Sequence, residues 1–423
     1  MQKLKLISFF IICAYILTPT VSADEYQEYD RGNIDFVHVS ISSSGDLIAA
    51  GEAGTGILAL ISKDGSTEWA YQTGINISGV AISGNGEFIS CVSEEGDVLL
   101  FDNYGNLLWK KLIMGSNPKT ILSENGSICL IYNNDLPNDP YTHTLHVFDE
   151  KGNEFFSKRI PAIDSAGISS DENFFFVGTS HFTRGILYFC SGELQWNYKL
   201  KQPSFVSANP RTSISDNLNL IGIVELNKVT YLDKSGSEYL NRELSFLVEG
   251  RPAYIRPLIF IDVSGDGSRL VAGSEFIVYC LNNSGSILWS FEFKNTTSKD
   301  IGSAAITDNG KLVAASCGDK LYVLDEKGHV LSKHGIDLPV KQIFISDNGE
   351  VIAGGATGGL IYLLSDKIGL ISIEIGNLSV QPVPTTGISW QTKIDKEQTA
   401  PVAFVLPVIA LLIAIVMQKN QRK

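Results

Sequence analysis

The 423-residue sequence predicts an all-β chain of eight four-stranded units, and three observations carry that prediction. A landmark of the form Ser/Thr-x-x-Gly, set between two apolar runs, returns eight times, as in ISSSGDLIAAG, ISGNGEFISCV and ITDNGKLVAAS. Its last position falls at Gly45, Gly86, Gly126, Glu172, Leu218, Gly267, Gly310 and Gly349, at spacings of 39 to 49 residues, which suit four short strands per unit. A second landmark, a polar turn closing on glycine, follows each first one at Gly65, Gly105, Gly152, Gly192, Gly236, Gly285, Gly328 and Gly369. Four of the five tryptophans, Trp69, Trp109, Trp196 and Trp289, stand four residues beyond it, with Phe156 at the same offset.

Within the units, apolar and polar residues alternate with the period of a strand, as at Val37, Val39 and Ile41, and no unit sustains a 3.6-residue period. The landmark glycines supply the positive φ of tight turns. A lone four-stranded sheet leaves a face open to water, so successive units must pack face to face. Radial closure into a propeller then leaves only short, protected edges. The expectation is an eight-bladed β-propeller with strands A to D in each blade and the four tryptophans wedged between neighbouring blades. Seven blades follow instead if the fifth unit, with Leu218 and Leu240 at its marker positions, is irregular.

The two ends set an expected address. Residues 1–23 combine Lys3 and Lys5, an apolar run from Leu6 to Leu17 and Val21-Ser22-Ala23 before an acidic stretch, the layout of a cleaved secretory signal. The propeller is expected over 24–376, and residues 377–399, with Pro382, Pro384 and Gly387, read as a linker. Residues 400–417 form an apolar run of 18, near the ~20 that cross a hydrocarbon core as a transmembrane helix. The tail 418–423 carries Lys419, Arg422 and Lys423 without an acid, which puts it on the cytoplasmic side and the propeller on the extracytoplasmic side of the cell membrane. Cys91, Cys129, Cys190, Cys280 and Cys317 are widely spaced among apolar neighbours and read as buried thiols, not as a disulfide framework. Sequons at Asn76, Asn125, Asn282, Asn295 and Asn377 make these the candidate glycosylation sites.

The S-x-x-G and D-x-x-G-x-x-x-W pattern resembles the quinoprotein-type (PQQ-like) repeat of eight-bladed propellers, with a looser likeness to WD repeats, over about 340 residues. The resemblance implies a propeller fold. Quinoprotein dehydrogenases also carry an adjacent cysteine pair over the cofactor and a calcium site. The sequence has no Cys-Cys dipeptide, so no cofactor is expected. Signal, sequons and C-terminal anchor together resemble archaeal cell-surface proteins.

Between residues 24 and 397 the chain holds 28 bases against 46 acids, a net −18, which excludes binding along a nucleic-acid backbone. In each blade the A–B and C–D turns share one face, here the upper, and the B–C turns and D–A connections share the lower. Length variation concentrates below: Asn133 to Thr142 is inserted between B and C of the third unit, Ser180 to Arg184 in the fourth, and the D–A connections at 201–210 and 244–257 are long. Function preferentially occupies such loops, which makes Asp135, Asp139, Tyr141, His143, His181, Arg184, Arg211, Arg251, Tyr254 and Arg256 the candidate ligand-binding residues, with basic groups suited to an anionic sugar or acidic peptide. His143-x-x-His146 lacks partners with zinc spacing, and Asp262 and Asp266 in DVSGDG lack the remaining calcium-loop ligands, so no metal is expected. No catalytic motif is present, although a carboxylate pair assembled across the channel from different blades leaves no linear signature. The functional expectation is a membrane-anchored binding scaffold for a protein or glycan. The alternative is an extracytoplasmic enzyme, either a quinone-dependent redox protein or a hydrolase or lyase using channel carboxylates.

Overall fold

The computed structural model describes residues 36–384, apart from 137–138, 180–183, 200–210, 245–246, 249–250, 253–256 and 294–301. Eight four-stranded antiparallel sheets span 37–72, 77–112, 116–161, 163–199, 211–243, 260–292, 302–335 and 340–374, each with its strands paired in chain order. Each A strand lies against the A strand of the next sheet, and that of the eighth (Val340–Ile345) lies against that of the first (Val37–Ile41). The chain is an eight-bladed β-propeller with A strands innermost, and the fifth blade is as regular as the rest. Eight apolar clusters fill the eight junctions between blades, and B strands such as Phe174–Thr179 are buried on both faces.

The first landmark works identically in every blade. The Ser or Thr hydroxyl accepts the backbone N–H five residues on, from Leu47 N on Ser42 Oγ at 3.2 Å to Val351 N on Ser346 Oγ at 3.1 Å. The position three residues after it is left-handed throughout, including Glu172 (φ 56°) and Leu218 (φ 59°) where glycine is absent. At the second landmark an Asp or Asn side chain caps the C–D turn in blades two, three, five, six and seven, as Asp102 Oδ1 does by accepting from Tyr104 N at 3.0 Å and Asn106 N at 2.8 Å.

The tryptophans sit where expected. Each indole N–H donates to a backbone carbonyl in the C–D turn of the following blade: Trp69 to Asn103 at 3.0 Å, Trp109 to Glu150 at 3.2 Å, Trp196 to Lys234 at 2.8 Å and Trp289 to Glu326 at 3.1 Å. That turn's glycine rests on the indole ring, so close that a Cβ on Gly236 would fall 2.5 Å from Trp196.

Two departures from expectation are physical in origin. The insertion in the third unit is not a loop but a lengthened hairpin, Ile128–Leu136 with Asp139–Asp149, whose arms continue the antiparallel ladder through Asn134 opposite His143 to Leu136 opposite Asp139. The segment read as a linker from 377 instead begins against the first blade. Gln381–Pro382 add a parallel fifth strand beside Thr67–Gln72, anchored by Leu378, Val380 and Val383 on the apolar clusters. Asp262, in the DVSGDG segment, braces three blades. Its carboxylate accepts from Ser213 Oγ at 3.1 Å in the fifth blade, from Val263 N at 3.0 Å in its own and from Ile306 N at 3.0 Å in the seventh.

All five cysteines outside residues 1–23 are buried free thiols, as expected. Among the described residues no α-helix occurs, and no helix is long and apolar enough to cross a membrane. The signal 1–23, the span 400–417 and the tail 418–423 lie outside the described residues.

Candidate functional site

The upper mouth of the channel is built from one position of the repeat. The residue after the landmark Ser or Thr is Ser43, Gly84, Glu124, Ser170, Asp216, Gly265, Asp308 and Asp347 in blades one to eight. Backbone hydrogen bonds tie one A–B turn to the next, for instance Ser43 N to Gly84 O at 2.9 Å, Asn85 N to Glu124 O at 2.7 Å, Asp266 N to Asp308 O at 3.0 Å and Asp347 N to Ser43 O at 3.0 Å. At the third junction the carboxylate of Glu172 replaces the carbonyl, accepting from Asn125 N at 2.8 Å and Ser127 Oγ at 2.6 Å. These turns form a rigid belt around the opening.

Four carboxylates converge on it. The two glycines stand in opposite blades, and each leaves room for the side chains beside it to meet. Glu124 reaches across Gly84 to accept from Ser43 Oγ at 3.0 Å, passing where a Cβ would lie 1.7 Å from its oxygen. Asp308 and Asp216 meet across Gly265, with oxygens 1.8 Å and 2.6 Å from the site of a Cβ, and they share a hydrogen bond. Desolvation, then the charges of Asp216 and Asp347, pushes the Asp308 carboxyl up to about 7. Desolvation and the charge of Glu124 raise Asp347 to about 6, against an opposing hydrogen bond from Ser43.

A carboxyl raised above its free value near 3.9 holds a proton in the folded chain that the unfolded chain has lost. The stability it contributes is complete below about pH 4 and disappears as pH rises through 7. Replacing Asp308 by Asn keeps the neutral form at every pH. Asp308→Asn is therefore expected to stabilise the protein by about 1–2 kcal/mol at pH 8, after discounting for solvent screening at this half-exposed site, and by nearly nothing at pH 4.5. Urea unfolding midpoints of the two proteins across that range check it. Equal midpoints at pH 8 would count against the crowding.

The residues expected from sequence are placed otherwise. Asp135, Asp139 and Tyr141 belong to the backbone of the lengthened hairpin of the third blade, with Leu136 opposite Asp139. His143 Nδ1 accepts from Ile163 N at 2.8 Å and joins the third blade to the fourth, while His146 Nδ1 lies 2.7 Å from Glu154 Oε1. Arg184 opens strand C of the fourth blade opposite Thr179 and Lys199, and Arg211 is exposed at the lower end of the fifth A strand. Arg251 stands opposite Val248 in a two-residue ladder. His181, Tyr254 and Arg256, and the side chains of Asp135, Asp139, Tyr141, Arg184 and Arg251, lie outside what the structure describes. Among the described residues no three His, Cys, Asp or Glu are grouped to hold a metal ion. Of the sequon asparagines, Asn125 and Asn377 are exposed, Asn282 caps a C–D turn, Asn76 Nδ2 donates to Glu94 Oε2 at 2.7 Å, and Asn295 is outside the described residues.

No family model and no curated protein matches the sequence. Solved structures do. The C-terminal WD40 domain of Sif2 superposes with a TM-score of 0.61 at 11% identity, over 80% of this chain and 96% of that one. The Dos1 propeller gives 0.60 at 12% identity, over 85% and 95%. BamB from Moraxella catarrhalis gives 0.54 at 14% identity, over 79% and 95%. The fold these structures share with this chain is the β-propeller. At such identities the likeness extends to the fold alone, and the carboxylate mouth stands on this chain's own geometry.

Proposed function

We propose that this protein is a single-pass, membrane-anchored propeller, displayed on the extracytoplasmic side with glycosylated sequons, that acts as a binding scaffold and takes a basic segment of a protein partner at its upper mouth. The observation that carries the reading is the convergence of Glu124, Asp216, Asp308 and Asp347 from four blades on one opening. Burial and mutual repulsion hold two of them, Asp308 and Asp347, above their usual range, and a cation seated among them would relieve that repulsion. Acids from four blades around one opening suit a long organic cation, a lysine or arginine side chain reaching down the axis. A regular, hydrogen-bonded face with such a mouth is suited to capture without chemistry. The apolar run 400–417 with its basic tail supports the membrane address.

The test uses a fluorescent octalysine peptide and the full-length chain in detergent at low salt. Anisotropy is expected to show saturable binding at pH 8 that weakens about tenfold by pH 5, as protons compete for Asp308 and Asp347. The triple variant Glu124→Gln, Asp308→Asn, Asp347→Asn is expected to lose that binding. Removing as much charge from the outer strands and their turns, by Glu68→Gln, Glu193→Gln and Glu292→Gln, is expected to leave it nearly intact. Equal losses in the two triples would reduce the effect to net charge and reject the mouth as the site.

The Asp216–Asp308 pair favours one second reading, that of a hydrolase. Two carboxylates sharing a proton can supply an acid and a base to one reaction. Turnover of a peptide or polysaccharide that vanishes in both Asp216→Asn and Asp308→Asn would move the assignment there.

A further inference from the structure

The lower mouth of the same channel has the opposite character. At one level of the inner wall, four residues ahead of the landmark Ser or Thr, stand His38 in the first blade, Gly79 in the second, Lys119 in the third and Arg211 in the fifth. Strand bulges add to this level. In blades two, four and eight the pairing of strand A with strand B skips Ser78, Asp164 and Lys341. In the third blade Asn117 and Pro118 stand against the single residue Asn133, with Asn117 at φ 50°. Such bulges re-aim side chains and cluster at functional rims.

The outcome is a basic niche. Lys119 of the third blade and Lys341 of the eighth both bear on the imidazole of His38 in the first. Burial, reinforced by these two charges, lowers His38 to about 3, so the ring is neutral and the positive charge belongs to the lysines. Lys119 Nζ donates to Ser78 O at 3.2 Å, and Lys341 Nζ lies 5.1 Å over the Phe36 ring, which in turn meets His38 edge-on at 4.8 Å. Gly79, between His38 and Lys119, places no side chain at this level. Arg211 and Asp164 stand farther round, both within electrostatic range of Tyr132, the residue opposite Lys119 in register. Among the described residues at this level the collar thus carries three cations and one acid, inside a chain whose overall charge is −13. Two positive charges that bear on one neutral imidazole attract an anion to the space they share.

We infer that the niche formed by His38, Gly79, Lys119 and Lys341 at the lower mouth is a binding site for a small oxyanion, such as the carboxylate of an acidic sugar or a sulfate group. The lysines supply charge, and the imidazole supplies a neutral hydrogen-bonding edge. This site is independent of the upper mouth, and its test does not touch the carboxylates there.

The experiment is calorimetry on the full-length chain at low ionic strength with three probes: sodium sulfate, sodium glucuronate and glucose. Saturable heat is expected with sulfate, glucuronate or both, and none with glucose; the tighter of the two anions identifies the source of the oxyanion. Lys119→Met with Lys341→Met is expected to abolish the heat while thermal unfolding stays within a few degrees of the parent. Lys119→Arg with Lys341→Arg is expected to retain it, which guards against a folding artefact. By NMR, saturating anion is expected to raise the His38 titration midpoint by at least one pH unit. Anion heats no larger than those of glucose, or undiminished binding in the double methionine variant, overturn the proposal.

Discussion

Replacing Trp109 by alanine is expected to cost about 3–5 kcal/mol of stability, the range for emptying a large buried aromatic site. The indole is 7% exposed and fills the junction between the second and third blades. Its N–H holds the carbonyl of Glu150, and its ring carries Gly152, where a Cβ would approach to 2.9 Å. Alanine therefore removes packing, a hydrogen bond and the support of the neighbouring turn together. Trp109→Phe is expected to recover about half the loss, since the third blade uses Phe156 in the same wedge against Gly192. The glycines supply a matched control. Gly236→Ala drives a methyl to 2.5 Å from Trp196 at φ 79°, whereas Gly369→Ala, at φ 65° with nothing within 4 Å, bears only the backbone strain of about 1 kcal/mol. Urea unfolding of the four variants ranks them. A Trp109→Ala protein within 1 kcal/mol of the parent would mean the wedges do not hold the ring.

Those wedges were legible in the sequence because a tryptophan at a fixed offset in repeat after repeat leaves few alternatives. The Ser/Thr landmark was legible for the same reason: one hydroxyl closes the same turn eight times, so selection for the turn writes a column in the sequence. Even the two non-glycine copies fold alike, Leu218 burying its side chain and Glu172 using its carboxylate to clasp the preceding turn. The carboxylate mouth was not legible. Glu124, Asp216, Asp308 and Asp347 lie between 39 and 223 residues apart, at a position where other blades carry serine or glycine. Only closure of the ring turns that column into a circle, and only Gly84 and Gly265 let the side chains meet. The signal that finds them is the alignment of the repeats against one another, read as a ring. The lower collar escaped for a further reason, since its bulges shift register by one residue in some blades and not in others. The closing strand at Gln381–Pro382 is two residues long and contains proline, which removes every strand signal except the three apolar anchors around it.

The second large effect expected is at Asp262. Its carboxylate is enclosed by protein beside the channel, and its titration midpoint is raised to about 6, burial outweighing the hydrogen bonds it receives. Asp262→Ala leaves the N–H of Ile306 and the hydroxyl of Ser213 without their acceptor, in the blades on either side, while the N–H of Val263 keeps Ser213 Oγ at 3.1 Å. At about 1–3 kcal/mol for each orphan, with some relaxation, the loss is expected to reach about 2–4 kcal/mol at pH 5. Other blades show what a smaller clip achieves. Ser40 Oγ accepts from Ile82 N at 3.3 Å and Ser213 Oγ from Val263 N at 3.1 Å, each a hydroxyl doing for one neighbour what Asp262 does for two. Asp262→Ser is therefore expected to recover a third to a half of the loss by holding Ile306 alone. The dependence on pH has a fixed sign. A carboxyl raised in the folded state stabilises fully below about pH 4 and progressively less as pH rises through 6. The gap between parent and Asp262→Ala is thus expected to narrow from pH 5 to pH 8. Unfolding midpoints at both values decide the matter: a gap that widens with pH would show that the ionised carboxylate, not the protonated one, is the form the three blades are built around.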